Sequence, residues 1–261
     1  MTLYVIHARR TGSPVLDFSL LNLATLRASI IGGFMFRLGI GALPFLLPLL
    51  MQTGFGLSPF RSGLVTFASS LGAMGMKTLA ARIIRAFGFR YLMTVNAVIS
   101  AIFLAACALF TVTTPLLLIM IILVVGGFFR SLQFTAINTV AYAEVETAQM
   151  SRATTLVSVN QQLAVSAGVA IGAFSVETTM WFRHMSELDA TVFAPAFIVV
   201  ALTSAASSFF FWQMPDDAGN EISGRKAVEI ASRKGAAKSA ASAAVKAATE
   251  DTQDMRDQRL G

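Results

Sequence analysis

The sequence predicts an all-α membrane protein in which six transmembrane helices form one bundle. Hydrophobic residues make up 55% of the 261 residues and charged residues only 13%, whereas a soluble domain carries about 25% charged residues. The apolar residues form long unbroken runs, and within lipid a helix satisfies the backbone hydrogen bonds of such a run. Each run reaches the roughly 20 residues that span a bilayer. The predicted spans are 28–51, 62–83, 91–112, 115–141, 153–177 and 192–213.

The first three predicted spans are joined by short loops. Span 1 carries Arg37, which lies about 15 Å beyond Arg27 at 1.5 Å per residue. Pro44 and Pro48 remove backbone donors near the end of this span, so we expect a bend there. The loop "RAFGFR" (85–90) leads from span 2 directly into span 3.

The last three spans differ in their small and polar residues. Span 4 contains "VVGGFFRSLQFTAINTVAY" (124–142), which is apolar almost throughout except for Arg130. In span 5, Ala164, Gly168 and Gly172 recur every four residues, a pattern typical of closely packed membrane helices. Span 6 is apolar along its whole length and is followed by a polar tail.

The two ends of the chain are predicted to lie outside the bundle. Residues 1–27 are expected to be a cytoplasmic lead-in that contains the end of a helix missing from this chain. The tail, 214–261, has as many basic as acidic residues from Asp216 onward. Its composition is typical of disorder rather than of a packed domain.

Lysine and arginine residues predict the orientation, because cytoplasmic loops are enriched in them. The side that contains the first loop carries most of these residues: Arg9, Arg10, Arg27, Lys77, Arg82, Arg85, Arg90 and Arg152. The other side carries Arg61 and Arg183. The sequence therefore predicts a multi-pass protein of the inner membrane with both termini in the cytoplasm.

Two arginines within the spans are the first candidates for a site. An arginine at the centre of a membrane helix costs about 2.5–3.5 kcal/mol on insertion scales, so Arg37 and Arg130 should face a polar interior. One interpretation is a pair of cavity cations that interact with substrate or with an acid linked to transport. The other is a structural role, in which each guanidinium bonds to carbonyls at a helix end.

A second set of polar side chains lies in spans 4 and 5. Its members are Gln133, Asn138, Asn160 and Gln161. Gln133 follows Arg130 by almost one turn, so both are expected on similar faces of the helix. These side chains either form hydrogen bonds between helices or contact a substrate.

A short pattern occurs twice in the chain. Gly-Gly-Phe precedes an arginine at 32–34 in span 1 and again at 126–128 in span 4. These spans are three apart and cross the membrane in opposite directions, as in an inverted three-plus-three repeat. Coincidence remains an alternative, because glycine and phenylalanine are common in this sequence.

The composition argues against several other classes of protein. The one cysteine, Cys107, and the two histidines stand apart from acidic clusters, so no metal site or cofactor is predicted. The spans contain no nucleophile–base pair of the kind that an intramembrane enzyme needs. The net charge of +6 comes from the membrane part and its loops, which indicates orientation rather than nucleic-acid binding.

Several stretches together resemble a known family. They are "PVLDFSLL" (14–21), "FRLGIGALPFLLPLLMQTGFGLSPFRSGL" (36–64), "RAFGFR" (85–90), "GGFFRSLQFTAINTVAY" (126–142) and "QMSRATTLVSVNQQLAVSAGVAIG" (149–172). The chain resembles the C-terminal six-helix half of a major facilitator superfamily transporter. More narrowly, it is similar to the fourteen-helix drug:proton antiporters, the EmrB/QacA-like multidrug exporters.

The resemblance implies both a motif and a cavity. The loop between spans 2 and 3 resembles the superfamily's cytoplasmic loop motif at Gly72, Arg82, Gly88 and Arg90. The motif's usual acid is absent, and Arg85 stands about where it would be. In this superfamily the first and fourth helices of each half line the substrate cavity, which implies that Arg37 and Arg130 lie there.

The function implied by the resemblance is proton-coupled export of hydrophobic or cationic compounds through a cavity between two six-helix bundles. This chain would supply one wall of that cavity, and its partner would be a separate N-terminal half or a second copy. The alternative is a truncated membrane interaction module that contacts lipid and does not transport.

Overall fold

The computed structural model describes residues 18–185, 188–215 and 218–219. The chain divides into two units, Met1–Gly219 and Asn220–Gly261. The second unit lies outside the described residues, as do residues 1–17. The predictions made for the first 17 residues and for the tail from residue 220 therefore stay predictions.

The described part of the chain is helical, and six of its segments are long and apolar enough to cross a membrane. The predicted fold class is therefore confirmed. The first helix begins four residues before the predicted start of span 1. The helices are α1 (Ala24–Gly41), α2 (Leu43–Leu49), α3 (Pro59–Phe87), α4 (Phe89–Ala106), α5 (Leu116–Val140), α6 (Met150–Phe182) and α7 (Phe193–Trp212).

The first span is broken, as its prolines predict. Helix α1 ends at Gly41 and α2 begins at Leu43, with Pro44 in the first turn of α2 and Pro48 inside it. A wider, π-helical turn follows at Leu50–Gly54. Proline tolerates a first helical turn but removes a donor from the interior of a helix, which accounts for the segmentation.

A tight corner joins α3 to α4 at the predicted loop motif. Gly88 has a φ of 75°, a left-handed conformation that glycine adopts without a steric penalty. Two residues later, Arg90 donates from Nε to the carbonyl oxygen of Trp212 at 2.9 Å, and its guanidinium lies 5.0 Å from the centre of the Trp212 ring. This corner is therefore tied to the end of α7.

The packing of the helices follows a repeat of three spans. Helices α1 and α2 pack against α6, and α1 also packs against α7, whereas α5 packs against α3 and α4. Helices α4 and α7 pack against each other. The contacts of span 1 with spans 5 and 6 thus correspond to the contacts of span 4 with spans 2 and 3. Corresponding spans are three apart and cross in opposite directions, which is the arrangement of an inverted three-plus-three repeat.

The crossing of α3 and α5 depends on glycine. A Cβ atom added to Gly72 would lie 1.8 Å from the carbonyl oxygen of Val124, and one added to Gly127 would lie 2.1 Å from that of Ser69. These separations leave no room for a side chain, so the two backbones touch directly.

The crossing of α1 and α6 repeats this arrangement. A Cβ atom on Gly168 would lie 2.2 Å from the carbonyl oxygen of Leu38, and one on Gly41 would lie 2.8 Å from Cα of Val165. In both crossings the contacting positions on each helix are three residues apart. The packing therefore makes Gly41 the counterpart of Gly127.

Only the second copy of the duplicated Gly-Gly-Phe pattern lies at one of these two crossings. A Cβ atom on Gly32 would meet the ring of Phe211 at 2.7 Å, and one on Gly33 would meet Nη1 of Arg37 at 2.7 Å. Gly127 instead contacts the backbone of α3. The repeat exists in the packing, but its register differs from the one that the duplicated letters suggested.

Candidate functional site

One face of α5 carries the central polar residues of the bundle. Arg130, Phe134 and Asn138 follow one another at every fourth position, so they stack along the same side of the helix. This side faces α1, α2 and α3. The site is therefore built around a column of a cation, an aromatic ring and an amide.

Arg130 lies beside a cavity of about 440 Å³. The side chain is half-buried, and Nη2 donates a hydrogen bond to Oγ of Ser69 on α3. The residues that line this cavity are Ile40, Gly41, Leu43, Pro44, Leu47, Pro48, Thr66, Ser69, Ser70, Leu123, Arg130, Phe134 and Val165. A mostly apolar pocket with a few polar groups is typical of small-molecule sites.

Arg37 approaches the same column from α1 and is fully buried. Its Nη2 donates to Oδ1 of Asn138 at 2.7 Å, and its guanidinium carbon lies 5.7 Å from the centre of the Phe134 ring. Among the described residues, Nε and Nη1 have no hydrogen-bond partner. Gly33 makes room for this arrangement, because a Cβ there would overlap Nη1.

The two guanidinium groups have neutral partners in the column. The acidic residues in the described ranges are Glu144, Glu146, Glu177 and Asp189, and none lies in the middle of a span. A buried charge without an opposite charge nearby is unfavourable unless hydrogen bonds and polarisable groups compensate it. Here an amide, a hydroxyl and an aromatic ring provide that compensation, and the unpaired N–H groups of Arg37 leave capacity for a further hydrogen-bond acceptor.

Gln133 does not share the cavity with Arg130. It is fully buried, its Nε2 donates to the carbonyl oxygen of Met93 at 3.0 Å, and its Oε1 accepts from Nδ2 of Asn96 at 2.8 Å. Three residues turn an α-helix by about 300°, so Gln133 is rotated by about 60° from Arg130 and faces α4. The sequence-based placement of Gln133 in the cavity is therefore corrected to a bond between α4 and α5.

The polar pair in α6 lies apart from the cavity. Asn160 donates from Nδ2 to the carbonyl oxygen of Ile30 at 3.0 Å, which ties α6 to α1. Gln161 is half-buried on the same helix. Neither residue belongs to the described lining of the cavity around Arg130, so the structure does not bring them together with the arginines there.

The predicted small-residue ridge of α6 faces the first span. Ala164 is fully buried, and Gly168 lies on the backbone of Leu38, as described above. A Cβ atom on Gly172 would lie 3.0 Å from Cβ of Ala42. Gly168 and Gly172 are therefore places where α6 approaches the first span closely, and Ala164 is buried on the same ridge.

The predicted loop motif is divided between a helix and the corner that follows it. Gly72 lies inside α3 at the crossing with α5, far from the loop, and Arg82 is exposed on the same helix. Gly88 and Arg90 form the corner next to Trp212. The structure therefore gives Gly72 a packing position rather than a loop position.

Sequence reasoning missed two residues of the site, Ser69 and Phe134. Phe134 could have been found from its spacing, because it lies four residues after Arg130 and four before Asn138. Ser69 has no such signal, since its contact with Arg130 joins residues 61 positions apart.

Comparisons with known proteins agree with this architecture. The sequence profile of the Major Facilitator Superfamily matches residues 29–250. Three relatives carry the name "Putative multidrug resistance protein MdtD": one from Escherichia fergusonii is 29% identical over 229 residues, and those from Escherichia coli O139:H28 and Shigella boydii serotype 18 are 30% identical over 230 residues. The matches cover 85% of this chain and 48% of each relative, so the chain spans about half the length of these relatives. This chain belongs to the Major Facilitator Superfamily.

Proposed function

We propose that this chain is the C-terminal six-helix half of a proton-coupled multidrug exporter of the EmrB/QacA-like branch, and that it exports hydrophobic or cationic compounds. The cavity beside Arg130 is the observation that carries the proposal. It combines a volume of about 440 Å³ with apolar walls and a single guanidinium. Such a wall accommodates varied apolar ligands and orients them by few polar contacts.

The partner and the topology form part of the same proposal. The match to about half of each relative supports a second bundle, supplied by a separate N-terminal half or by a second copy of this chain. The excess of Lys and Arg on one side supports cytoplasmic termini in the inner membrane. Transport then proceeds by rocking of the two bundles about the cavity.

The proposal is tested with a chimera that joins the N-terminal half of the Escherichia coli relative to this chain. Cells that express the chimera are loaded with ethidium, a hydrophobic cation, and its efflux is followed by fluorescence. We expect efflux that stops when a protonophore removes the proton gradient. Cells that express this chain alone report whether a second copy suffices.

Arginine variants of the chimera then test the site. We expect Arg130→Ala to abolish efflux while membrane insertion is retained, and Arg130→Lys to restore little of it, because lysine lacks the planar fork of arginine. Arg183→Ala is the matched control, since Arg183 is exposed at the end of α6. Ethidium efflux at the unmodified rate from a correctly inserted Arg130→Ala chimera would refute the proposed role of Arg130. No efflux from an inserted, unmodified chimera would favour the non-transporting membrane module.

A further inference from the structure

A second cavity lies between the end of α3, the first half of α4 and the middle of α5. Its volume is about 320 Å³, and it shares no described lining residue with the cavity around Arg130. Its lining is apolar apart from Tyr91 and Asn96. Phe87 and Tyr91 are more than half exposed, so this groove opens on the surface of a membrane-spanning bundle.

The amide of Asn96 is held in one orientation. Its Nδ2 donates to the carbonyl oxygen of Phe129 at 2.9 Å and to Oε1 of Gln133 at 2.8 Å. Gln133 is fixed in turn, because its Nε2 donates to the carbonyl oxygen of Met93. Turning the Asn96 amide over would set its oxygen against two other oxygens, so Nδ2 stays on the side of α5.

The other end of this amide has no partner among the described residues. Asn96 is 2% exposed, and its Oδ1 is buried without a hydrogen bond. A buried polar atom without a partner is unfavourable, and the acyl chains beside a membrane-spanning helix supply no donor. Asn96 lines the groove, so a ligand with a donor would satisfy this acceptor once the side chains that cover it move aside.

Aromatic rings define the rest of the groove. Phe87 and Tyr91 stack with ring centres 6.1 Å apart, and Phe128 and Phe129 meet edge to face at 5.6 Å. Aromatic rings favour offset or edge-to-face contacts with further rings. The volume also falls within the range of about 300–1,000 Å³ that is typical of small-molecule pockets.

We propose that this groove is an accessory site that binds a small aromatic molecule carrying one hydrogen-bond donor. The ring lies against Tyr91 and Phe129, and its donor bonds to Oδ1 of Asn96. The ligand enters from the bilayer. The site is independent of the proposed transport function, because it shares no described lining residue with the cavity around Arg130.

The test uses two photoreactive probes that differ at one substituent, which is a donor in the first and a methyl ether in the second. 4-Hydroxybenzophenone carries an O–H group, and 4-methoxybenzophenone lacks it. Membranes that contain the full chain are irradiated with each probe, and labelled peptides are identified by mass spectrometry. We expect labelling of the segments around Tyr91 and Phe129, about fivefold stronger for the hydroxyl probe, as one net hydrogen bond predicts.

Two variants locate the site. Val95 lines the groove, so Val95→Trp should fill it and reduce labelling by the hydroxyl probe at least fivefold. Ile102 is exposed on the same helix outside the described lining, so Ile102→Trp should leave labelling unchanged. Equal labelling by the two probes of the unmodified chain, or labelling that Val95→Trp does not reduce, would overturn the proposal. The probe comparison needs no variant and therefore stands even where Val95→Trp fails to fold.

Discussion

The crossing of α3 and α5 predicts opposite effects for two neighbouring glycines of α3. Alanine at Gly72 would place its Cβ 1.8 Å from the carbonyl oxygen of Val124, whereas alanine at Gly75 would meet nothing within 4 Å. Both positions lie in the interior of the same helix. The pair therefore separates the effect of packing from the effect of helix propensity.

The expected magnitudes follow from this geometry. Helices α3 and α5 have to move apart by about 1.6 Å before the contact at Gly72 reaches the 3.4 Å of an ordinary van der Waals contact. Overpacking of this kind costs about 1–3 kcal/mol. Gly75→Ala should instead stabilise α3 by roughly 0.5–1 kcal/mol, because alanine loses less conformational entropy than glycine in a helix.

The chain contains its own reporter for this measurement. Cys107 is the one cysteine of the sequence and is 3% exposed, so a thiol-reactive fluorescent dye reacts with it upon unfolding. Because about 1 kcal/mol shifts the melting temperature of a chain of this size by roughly 2–4 °C, Gly72→Ala should lower it by roughly 2–12 °C. Gly75→Ala should leave it unchanged or raise it slightly. A Gly72→Ala protein that melts with or above the unmodified chain would show that the helices do not touch there.

Three further predictions concern other contacts and use the same dye assay. Gly168→Ala should destabilise the chain by an amount similar to Gly72→Ala, because its Cβ would lie 2.2 Å from the carbonyl oxygen of Leu38; a neutral effect would contradict the equivalence of the two crossings. Gln133→Leu should cost about 1–3 kcal/mol by leaving buried partners unsatisfied, and an unchanged melting temperature would argue against the α4–α5 network. Asn138→Ala should also destabilise by about 1–3 kcal/mol, because it removes the acceptor of the buried Arg37, whereas Asn138→Asp should restore stability through an ion pair. Equal melting temperatures for the two Asn138 variants would exclude that contact.

The spans could be predicted from the sequence because lipid imposes a simple requirement. A segment that crosses the bilayer needs about 20 apolar residues and closes its own hydrogen bonds, so composition alone indicates where the helices lie. The ends of the helices were harder to predict from the sequence. The fifth predicted span, 153–177, is shorter than α6 at Met150–Phe182. The helix continues past the apolar segment because polar residues such as Arg152 also adopt helical backbone angles.

The site was predictable only in part, for a different reason. The cost of burying a guanidinium indicated that Arg37 and Arg130 face the interior, yet their partners depend on contacts between distant spans. Arg37 reaches Asn138 across 101 positions. Gln133 is rotated by about 60° from Arg130 around the axis of α5. The rule that residues three or four apart are neighbours on a helix surface does not resolve so small a rotation.

The column on α5 bears on how proton coupling would work. Arginine remains protonated in proteins, so Arg37 and Arg130 are not the groups that bind and release the transported proton. The described acidic residues lie outside the middle of the spans. In the proposed exporter, we therefore expect the group that binds and releases the proton to come from the partner bundle, from the substrate, or from a part of this chain outside the middle of the described spans. The two guanidinium groups favour the ionised form of any carboxylate that approaches the column. A proton on that carboxylate removes its attraction to the guanidinium groups and changes the charge of the cavity. The binding of a neutral or cationic substrate is therefore coupled to the binding of the proton.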